Sequence, residues 1–186
     1  MALLVLGLAA GLVGCTAARD CPCGSRQVVF RVSPGAEKEY VDRTGLAWLA
    51  DQEYGPGKTW GAVGGTTLWR DSLKNPPPGT APDMYITERY SMTAYRFDVP
   101  NGRYAVRLHF IETYEEHSAP GQRIFSVSIQ GKEALADFDI LKEAGGFAKP
   151  VVREFGDIQV TDGKLMIEFA PKIQNPAIHG IEVFSY

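Results

Sequence analysis

Two runs of alternating apolar and polar residues, joined by a turn signal, constrain the fold of this chain most strongly. Tyr95, Phe97 and Val99 alternate with polar residues, and the same alternation continues over residues 104–110. A period of two residues is typical of a β-strand with one buried face. Pro100-Asn-Gly102 separates the runs, and Asn-Gly tolerates the positive φ angles of a tight hairpin. The pattern therefore predicts two antiparallel strands joined by a hairpin.

Further strands are predicted along the chain, and no segment shows a clear helical period. The first is expected at Gln27–Val32. Residues 33–82 are rich in Gly and Pro, which predicts a long loop region. Short strands separated by turn signals predict an all-β fold, a β-sandwich of the jelly-roll kind. The later strands are expected at residues 125–129, 151–155, 158–161, 164–169 and 178–184, with one short helical turn within 135–144.

Composition narrows the class of function. The 186 residues carry a formal net charge of −3 and contain no long basic run, which argues against a nucleic-acid partner. The sequence has no phosphate-binding loop, no His-Glu-x-x-His and no Gly-x-Ser-x-Gly. We therefore expect no cofactor, no metal site and no catalytic residues.

The N-terminus predicts secretion. Residues 1–14 form an uncharged apolar segment that is too short to span a bilayer, which takes about 20 residues. The segment ends in Gly14-Cys15, which resembles a bacterial lipobox, in which the chain is cleaved before a cysteine that is then lipidated. The alternative is an ordinary signal peptide with Cys15 as an unmodified thiol. The lipobox interpretation predicts a bacterial cell-envelope lipoprotein, anchored to a membrane through Cys15.

The remaining chain divides into a tether and one domain. Residues 15–26 are expected to be a linker that carries the lipidated cysteine, and residues 27–186 form a single domain. Cys21 and Cys23 are too close in sequence for an easy disulfide. Beyond Cys23 the chain has no cysteine, so the core must hold the fold.

Aromatic residues at strand ends and in loops are the candidate binding residues. Rings with an exposed face stack on the apolar C–H faces of sugars, while neighbouring polar groups bind the hydroxyls. The alternative for each ring is ordinary core packing, since Trp and Tyr are highly buried on average. The residues in question are Trp48, Trp60, Trp69, Tyr85, Tyr90 and Tyr114.

Several linked motifs resemble the malectin domain, a carbohydrate-binding β-sandwich. Tyr85-Ile-Thr-Glu-Arg-Tyr90 is similar to the family's Tyr-x-Thr-Glu-Arg-Tyr. Residues 102–112 are similar to its Gly-x-Tyr-x-Val-x-Leu-x-Phe-x-Glu. Arg123-Ile-Phe-Ser-Val127, Asp137-Phe-Asp139 and Asn175-Pro176 follow in the family's order. The resemblance covers residue 27 to the end.

The resemblance implies a sugar pocket made of loop aromatics. Tyr90, Tyr114 and Trp60 correspond to its rings. Glu115 replaces a second aromatic of animal malectin, and Gln174 replaces an Asp before Asn175. We expect Trp60, Tyr90 and Tyr114 to stack on an oligosaccharide, possibly one that contains glucose, and the set Glu115, Gln174 and Asn175 to bind its hydroxyls.

Two alternatives stay open at this point. The same scaffold could use its rings for a protein partner, because aromatic patches also serve protein interfaces. A glycoside hydrolase would need two carboxyl groups about 5–5.5 Å or 6.5–9.5 Å apart. The candidates for that pair are Glu112, Glu115, Glu116, Asp137 and Asp139. We expect these carboxylates to brace turns instead. Glu88 and Glu112 are expected to do so against Arg89 or Arg123.

Overall fold

The computed structural model describes residues 26–70 and 82–186, and its regular structure is almost entirely β-strand. The expected signal peptide (1–14), the lipidation site Cys15 and the linker as far as residue 25 lie outside the described residues. In the described part of the chain, no helix has the length and apolar character needed to cross a membrane. The strands are β1 (Gln27–Val32), β2 (Tyr40–Val41), β3 (Ala47–Trp48), β4 (Trp60–Trp69), β5 (Thr87–Asp98), β6 (Gly102–Phe110), β7 (Ile124–Ile129), β8 (Lys132–Phe138), β9 (Val151–Val160), β10 (Lys164–Ile173), β11 (Ala177–Ile178) and β12 (Gly180–Ser185), and the helices are α1 (Pro82–Tyr85) and α2 (Ile140–Ala144).

Two antiparallel sheets form the predicted sandwich. One has the strand order β1-β12-β6-β9, and the other has β11-β5-β10-β7-β8 with β4 also paired to β5. Strands β2 and β3 form a separate small ribbon. Fully buried residues from both sheets, such as Leu108 and Ile167, share one core. The all-β sandwich prediction is confirmed.

Strand β7 follows its predicted alternation and enters a tight hairpin. Phe125, Val127 and Ile129 are buried, and the serines between them are half-buried. Gln130 and Gly131 have φ angles of 51° and 69° and connect β7 to β8. Two successive positive φ angles are the mark of a type I′ hairpin turn.

The hairpin predicted at Pro100-Asn-Gly102 is wrong, because β5 and β6 belong to different sheets. Neither Asn101 nor Gly102 has a positive φ angle. Asn101 Oδ1 accepts the Gly163 N–H at 2.8 Å, and the Tyr104 hydroxyl donates to the Pro100 carbonyl at 2.7 Å. Both flanking strands bury a face in the same core, so alternation alone does not distinguish two neighbours in one sheet from two strands in facing sheets.

Two other boundaries differ from the prediction. Residues 33–82 contain a ten-residue strand, β4, where a long loop was expected. Its Gly64 and Gly65 have φ angles of 70° and 85°, and the register with β5 shifts beside Gly64. Glycine supplies no apolar side chain, so a search for alternation misses such a strand. The strands predicted separately at residues 151–155 and 158–161 form one strand, β9.

The predicted helical turn and its brace are present. Helix α2 begins at Ile140, and the Asp139 side chain accepts the Lys142 N–H at 3.0 Å. An aspartate at this position satisfies a backbone donor that the first helical turn leaves unpaired. Asp139 thus braces a turn, as expected.

A buried carboxylate ties the loop before β4 to β5. The Asp51 side chain is 3% exposed and accepts the Gly35 N–H at 2.8 Å, Arg89 Nε at 2.8 Å and the Tyr95 hydroxyl at 3.0 Å. Arg89, an expected partner of Glu88 or Glu112, pairs instead with Asp51 and also donates to the Gly64 carbonyl at 3.0 Å. A buried guanidinium needs such an anion, because an unpaired buried charge is costly.

A second buried carboxylate, Glu182 of β12, connects three strands. It accepts Arg31 Nε of β1 at 2.9 Å and Arg107 Nη1 of β6 at 3.1 Å, and it lies 3.0 Å from His109 Nε2. Burial raises the pKa of Glu182, but hydrogen bonds from His109 and Arg31 and the nearby positive charge outweigh burial and lower the pKa to about 2. His109, expected on a polar strand face, is therefore buried against this carboxylate.

Replacing Asp51 should reveal the cost of a buried unpaired arginine. We expect Asp51→Asn to lower the free energy of unfolding by about 3–5 kcal/mol, because Arg89 loses its anion. Urea denaturation at pH 7 measures this loss. Asp157→Asn is the control, since Asp157 is 82% exposed and 3.6 Å from Arg103. It should cost at most about 1 kcal/mol, and equal losses in the two variants would contradict the assignment.

Glu182 should make stability depend on pH. Its folded-state pKa lies below its unfolded value, so its contribution is complete above about pH 5 and is lost as the pH falls towards 2. The difference in unfolding free energy between wild type and Glu182→Gln should shrink by up to about 3 kcal/mol from pH 6 to pH 2. Urea denaturation at stepped pH tests this, with exposed Glu133→Gln as the control. A difference that does not change with pH would refute it.

Candidate functional site

An open cleft of about 530 Å³ lies at one end of the sandwich. The end of β4, the start of β5, the loop between β6 and β7 and the turn after β10 meet there. Side chains that are far apart in sequence therefore converge. The cleft is lined by Leu68, Arg70, Glu88, Tyr90, Tyr114, Glu116, His117, Gln122, Arg123, Gln174 and Asn175.

Four residues of the sequence-predicted site lie together in this cleft. Tyr90, Tyr114, Gln174 and Asn175 all line it. Both tyrosines are half-buried, whereas Gln174 and Asn175 are exposed. The motifs that pointed to these residues therefore share one surface.

Trp60 does not share this surface. It is in register with Phe97, seven residues along β5 from Tyr90, which is about 23 Å at ~3.3 Å per residue. Its indole stacks on the Phe97 ring with centroids 6.2 Å apart and planes 9° apart, and Phe30 lies 6.1 Å away. Trp60 packs on the core, which is the alternative weighed for each ring.

Glu115 also lies outside the cleft, and its neighbour Glu116 lines it. The His117 N–H donates to the Tyr114 carbonyl at 2.9 Å and closes a four-residue turn, in which Glu115 is exposed. The Glu116 carboxylate lies near the Tyr114 hydroxyl, and its interaction with that hydroxyl raises the pKa of Tyr114. A turn points successive side chains in different directions, so sequence alignment alone could not choose between the two glutamates.

The backbone of β5 is irregular just after Tyr90, where a bulge shifts the register with β4 between Met92 and Ala94. Ser91 has a φ of 61°, uncommon for a residue other than glycine, and its N–H donates to the Pro176 carbonyl at 3.0 Å. Gly65 of β4 packs against the bulge, where an added Cβ would lie 2.6 Å from the Tyr90 carbonyl oxygen. The backbone thus determines where the Tyr90 ring leaves the strand.

Three side chains hold Tyr114. The Arg70 guanidinium lies over its ring, 5.8 Å from the centroid, and the His117 ring meets it edge-on at 4.9 Å and 87°. The Glu116 carboxylate lies near its hydroxyl. Two half-buried rings, one from a strand and one from a turn, are therefore presented at the cleft.

Glu112 forms a buried floor beneath Tyr114. Its carboxylate accepts the Thr113 and Tyr114 N–H groups at 3.1 Å and 3.0 Å and Arg123 Nε at 2.8 Å. His117 Nδ1 lies 3.2 Å away but forms no regular hydrogen bond with the carboxylate. Burial raises the pKa of Glu112, but the Arg123 guanidinium and the backbone donors outweigh burial and lower it. The expected Glu112–Arg123 brace is confirmed.

Glu88 is the second buried carboxylate of the cleft. It accepts Arg70 Nη2 at 2.6 Å and the Thr113 hydroxyl at 2.7 Å, and His179 Nε2 lies 3.2 Å away. Burial opposes its ionisation, but His179, Arg70 and Thr113 outweigh burial and hold the pKa of Glu88 well below its usual range. Glu88 braces the cleft as expected, but with Arg70 in place of the expected Arg89 or Arg123.

The prediction missed several lining residues. Their only sequence signal was proximity to the motifs, since Arg123 opens a recognised motif and Glu116 and His117 follow Tyr114 closely. Arg70 gave no signal, because it stands at the end of the unpredicted strand β4. Within residues 26–70 and 82–186, no group of three His, Cys, Asp or Glu side chains could hold a metal ion. The lining residues outside the predicted binding site are Leu68, Arg70, Glu88, Glu116, His117, Gln122 and Arg123.

Comparison with known proteins identifies the family. Residues 28–181 match the family model of the malectin domain. The match covers most of the chain, which therefore belongs to the malectin domain family. The expected malectin-type fold is confirmed.

Curated relatives of the chain occur in Arabidopsis thaliana. A probable leucine-rich-repeat receptor-like serine/threonine-protein kinase is 47% identical over 83 residues, which is 41% of this chain and 8% of the relative. A probable receptor-like protein kinase is 30% identical over 156 residues, which is 74% of this chain and 18% of the relative. The chain therefore spans less than a fifth of the length of either relative.

Solved structures share the fold at low sequence identity. A Bacteroides uniformis β-glucuronidase superposes with a TM-score of 0.74 at 24% identity, over 84% of this chain and 18% of that chain. The ANX1 ectodomain from Arabidopsis thaliana superposes with a TM-score of 0.68 at 21% identity, over 86% and 48%. At these identities the likeness concerns the fold alone.

Gly65 should tolerate alanine much less than Gly64. Both have positive φ angles, so backbone strain is similar, but only at Gly65 would a Cβ meet backbone atoms of β5. We expect Gly65→Ala to lower the free energy of unfolding by about 1–3 kcal/mol more than Gly64→Ala does. Urea denaturation of both variants measures the difference. Equal losses would mean that the close approach at Tyr90 is absent.

Proposed function

We propose that this domain is a non-catalytic carbohydrate-binding module and that the cleft is its binding site. The main observation in support is that two half-buried rings, Tyr90 and Tyr114, line the same cleft. The buried carboxylates beneath them, Glu88 and Glu112, are already bound by arginines of the protein. Rings at a polar, open cleft suit a ligand with apolar C–H faces and many hydroxyls. Membership in the malectin family supports the same ligand class.

The roles of the lining residues follow from their exposure. Tyr90 and Tyr114 would stack on sugar faces, and the exposed amides of Gln174 and Asn175 would exchange hydrogen bonds with hydroxyls. Glu116 would accept hydrogen bonds from sugar hydroxyls, which the sequence analysis expected of Glu115. An open cleft immobilises few ligand groups, so we expect weak binding, on the order of micromolar to millimolar.

The buried carboxylates support binding without catalysis. A glycosidase general acid must hold its proton near neutral pH, which requires a raised pKa. Glu88 and Glu112 have lowered pKa values, because each is bound by an arginine. They brace the cleft and are poor proton donors. The absence of catalysis is part of this proposal.

We propose an extracellular location for the module. Its relatives include receptor-like kinases, and the fold recurs in a receptor ectodomain. The lipid anchor at Cys15 stays a prediction, because Cys15 lies outside the described residues. The plant relatives give no support to a bacterial envelope lipoprotein.

A protein interface is the second candidate function, and a different surface favours it. A separate, largely apolar cavity of about 420 Å³ lies beside β2 and the end of β4. Val41 and Trp69 line it and are 65% and 58% exposed. Exposed apolar side chains that adjoin one another around an apolar cavity are typical of interaction surfaces.

A glycan-array screen of the chain tests the first function. We expect binding to one sugar class that Tyr90→Ala abolishes, because the variant removes a stacking ring. Tyr54→Ala is the matched control. Tyr54 is also half-buried, but it bonds Asp98 at the opposite end of β5, with a distance of 3.0 Å between its hydroxyl and Asp98 Oδ2.

Folding must be checked in both variants by urea denaturation. Sugar binding that survives Tyr90→Ala, or that Tyr54→Ala removes equally, would place the site elsewhere. A folded wild-type protein that binds no glycan would refute the carbohydrate proposal and leave the protein interface as the better candidate.

A further inference from the structure

Counted together, the cleft lining and the buried Glu112 beneath it carry one more carboxylate than guanidinium groups. The carboxylates of Glu88, Glu112 and Glu116 outnumber the guanidinium groups of Arg70 and Arg123 by one. Arg70 pairs with Glu88 at 2.6 Å and Arg123 with Glu112 at 2.8 Å. Glu116 is exposed, and within residues 26–70 and 82–186 its carboxylate forms no ion pair, whereas both arginines pair with other glutamates. The unbalanced charge is therefore that of Glu116.

We propose that the cleft selects uncharged sugars over uronic acids and that Glu116 is the residue that discriminates against a carboxylated ligand. This inference rests on the proposed carbohydrate-binding function and gives its ligand class. Glu116 and Tyr114 line the same cleft, so the Glu116 carboxylate lies close to a stacking ring. A sugar on that ring lies within reach of the Glu116 oxygens.

The two arginines do not offset this repulsion. Each already neutralises a glutamate that is 2–3% exposed. A uronate that recruited Arg70 or Arg123 would weaken that pairing and leave a buried ionised carboxylate short of its partner, which is costly. Uncharged hydroxyls avoid this cost, and they can donate hydrogen bonds to Glu116.

The closing experiment uses paired neutral and acidic sugars. Gluco-, galacto- and manno-oligosaccharides of about four units are each compared with their C6-carboxylated counterparts, by calorimetric titration at low salt. The proteins are the wild-type chain, Glu116→Gln and Glu115→Gln. The two variants remove the same charge from adjacent positions, one inside the cleft and one outside it.

We expect wild type to bind a neutral oligosaccharide at least about fivefold more tightly than its acidic counterpart. Glu116→Gln should improve binding of the acidic sugar by about two- to fivefold, whereas Glu115→Gln should change it by less than about twofold. This pattern would establish Glu116 as the discriminating residue.

Other outcomes separate the two proposals. Wild-type protein that binds an acidic sugar as tightly as the neutral one overturns the inference and leaves the carbohydrate function standing. Equal gains in Glu115→Gln and Glu116→Gln overturn the role of Glu116, because the effect would then come from overall charge. Binding to neither class of sugar refutes the proposed function itself, and the inference with it.

Discussion

The Glu112–Arg123 ion pair is the interaction on which the cleft depends. The Glu112 carboxylate binds the backbone of the Tyr114 turn, and Arg123 Nη1 continues to the Asn175 carbonyl. One chain of hydrogen bonds thus joins the end of β6, the start of β7 and the turn after β10. Since both side chains are buried, losing either charge would leave the other unpaired at a cost of about 3–5 kcal/mol. The loops that form the cleft are fixed by the interior beneath them.

Burial also determines which chemistry these carboxylates perform. Desolvation by itself raises the pKa values of Glu88 and Glu112 and so favours their protonated forms. Arginines and hydroxyl or backbone donors reverse that preference, so both carboxylates are ionised and bound within the protein. Such groups orient loops and are poorly placed to exchange protons with a substrate. The same sequence motif, Thr-Glu-Arg-Tyr, therefore supplies a structural acid in Glu88 and a presented ring in Tyr90.

The sequence was sufficient for the fold class and for part of the cleft, and the physical reason differs for each failure. The alternation of apolar and polar residues indicates that a strand buries one face, but it does not show which sheet the strand joins. It therefore wrongly predicts a hairpin at Pro100-Asn-Gly102. The glycines of β4 interrupt its apolar–polar alternation, so the strand is not predicted. Without β4, neither the position of Arg70 at the cleft nor the packing of Trp60 on Phe97 could be predicted. Motif spacing located the Tyr114 turn, but only its geometry separates Glu115 from Glu116. Tyr90 and Asn175 were found because short motifs tie them to strand ends.

The cleft has a buried lower layer and an exposed upper layer, and substitutions in the two layers have different costs for folding. Glu88, Glu112 and Arg123 are buried and ionised, so changing one demands a matching change in its partner. Gln174, Asn175 and Glu116 are exposed and are bound by few protein groups, so each can change with little cost to folding. Substitutions in the upper layer are therefore compatible with the same fold, whereas single substitutions in the lower layer are not. The ligand of this chain must therefore be inferred from the residues that line its own cleft. These are the rings of Tyr90 and Tyr114, the exposed amides of Gln174 and Asn175, and the exposed carboxylate of Glu116.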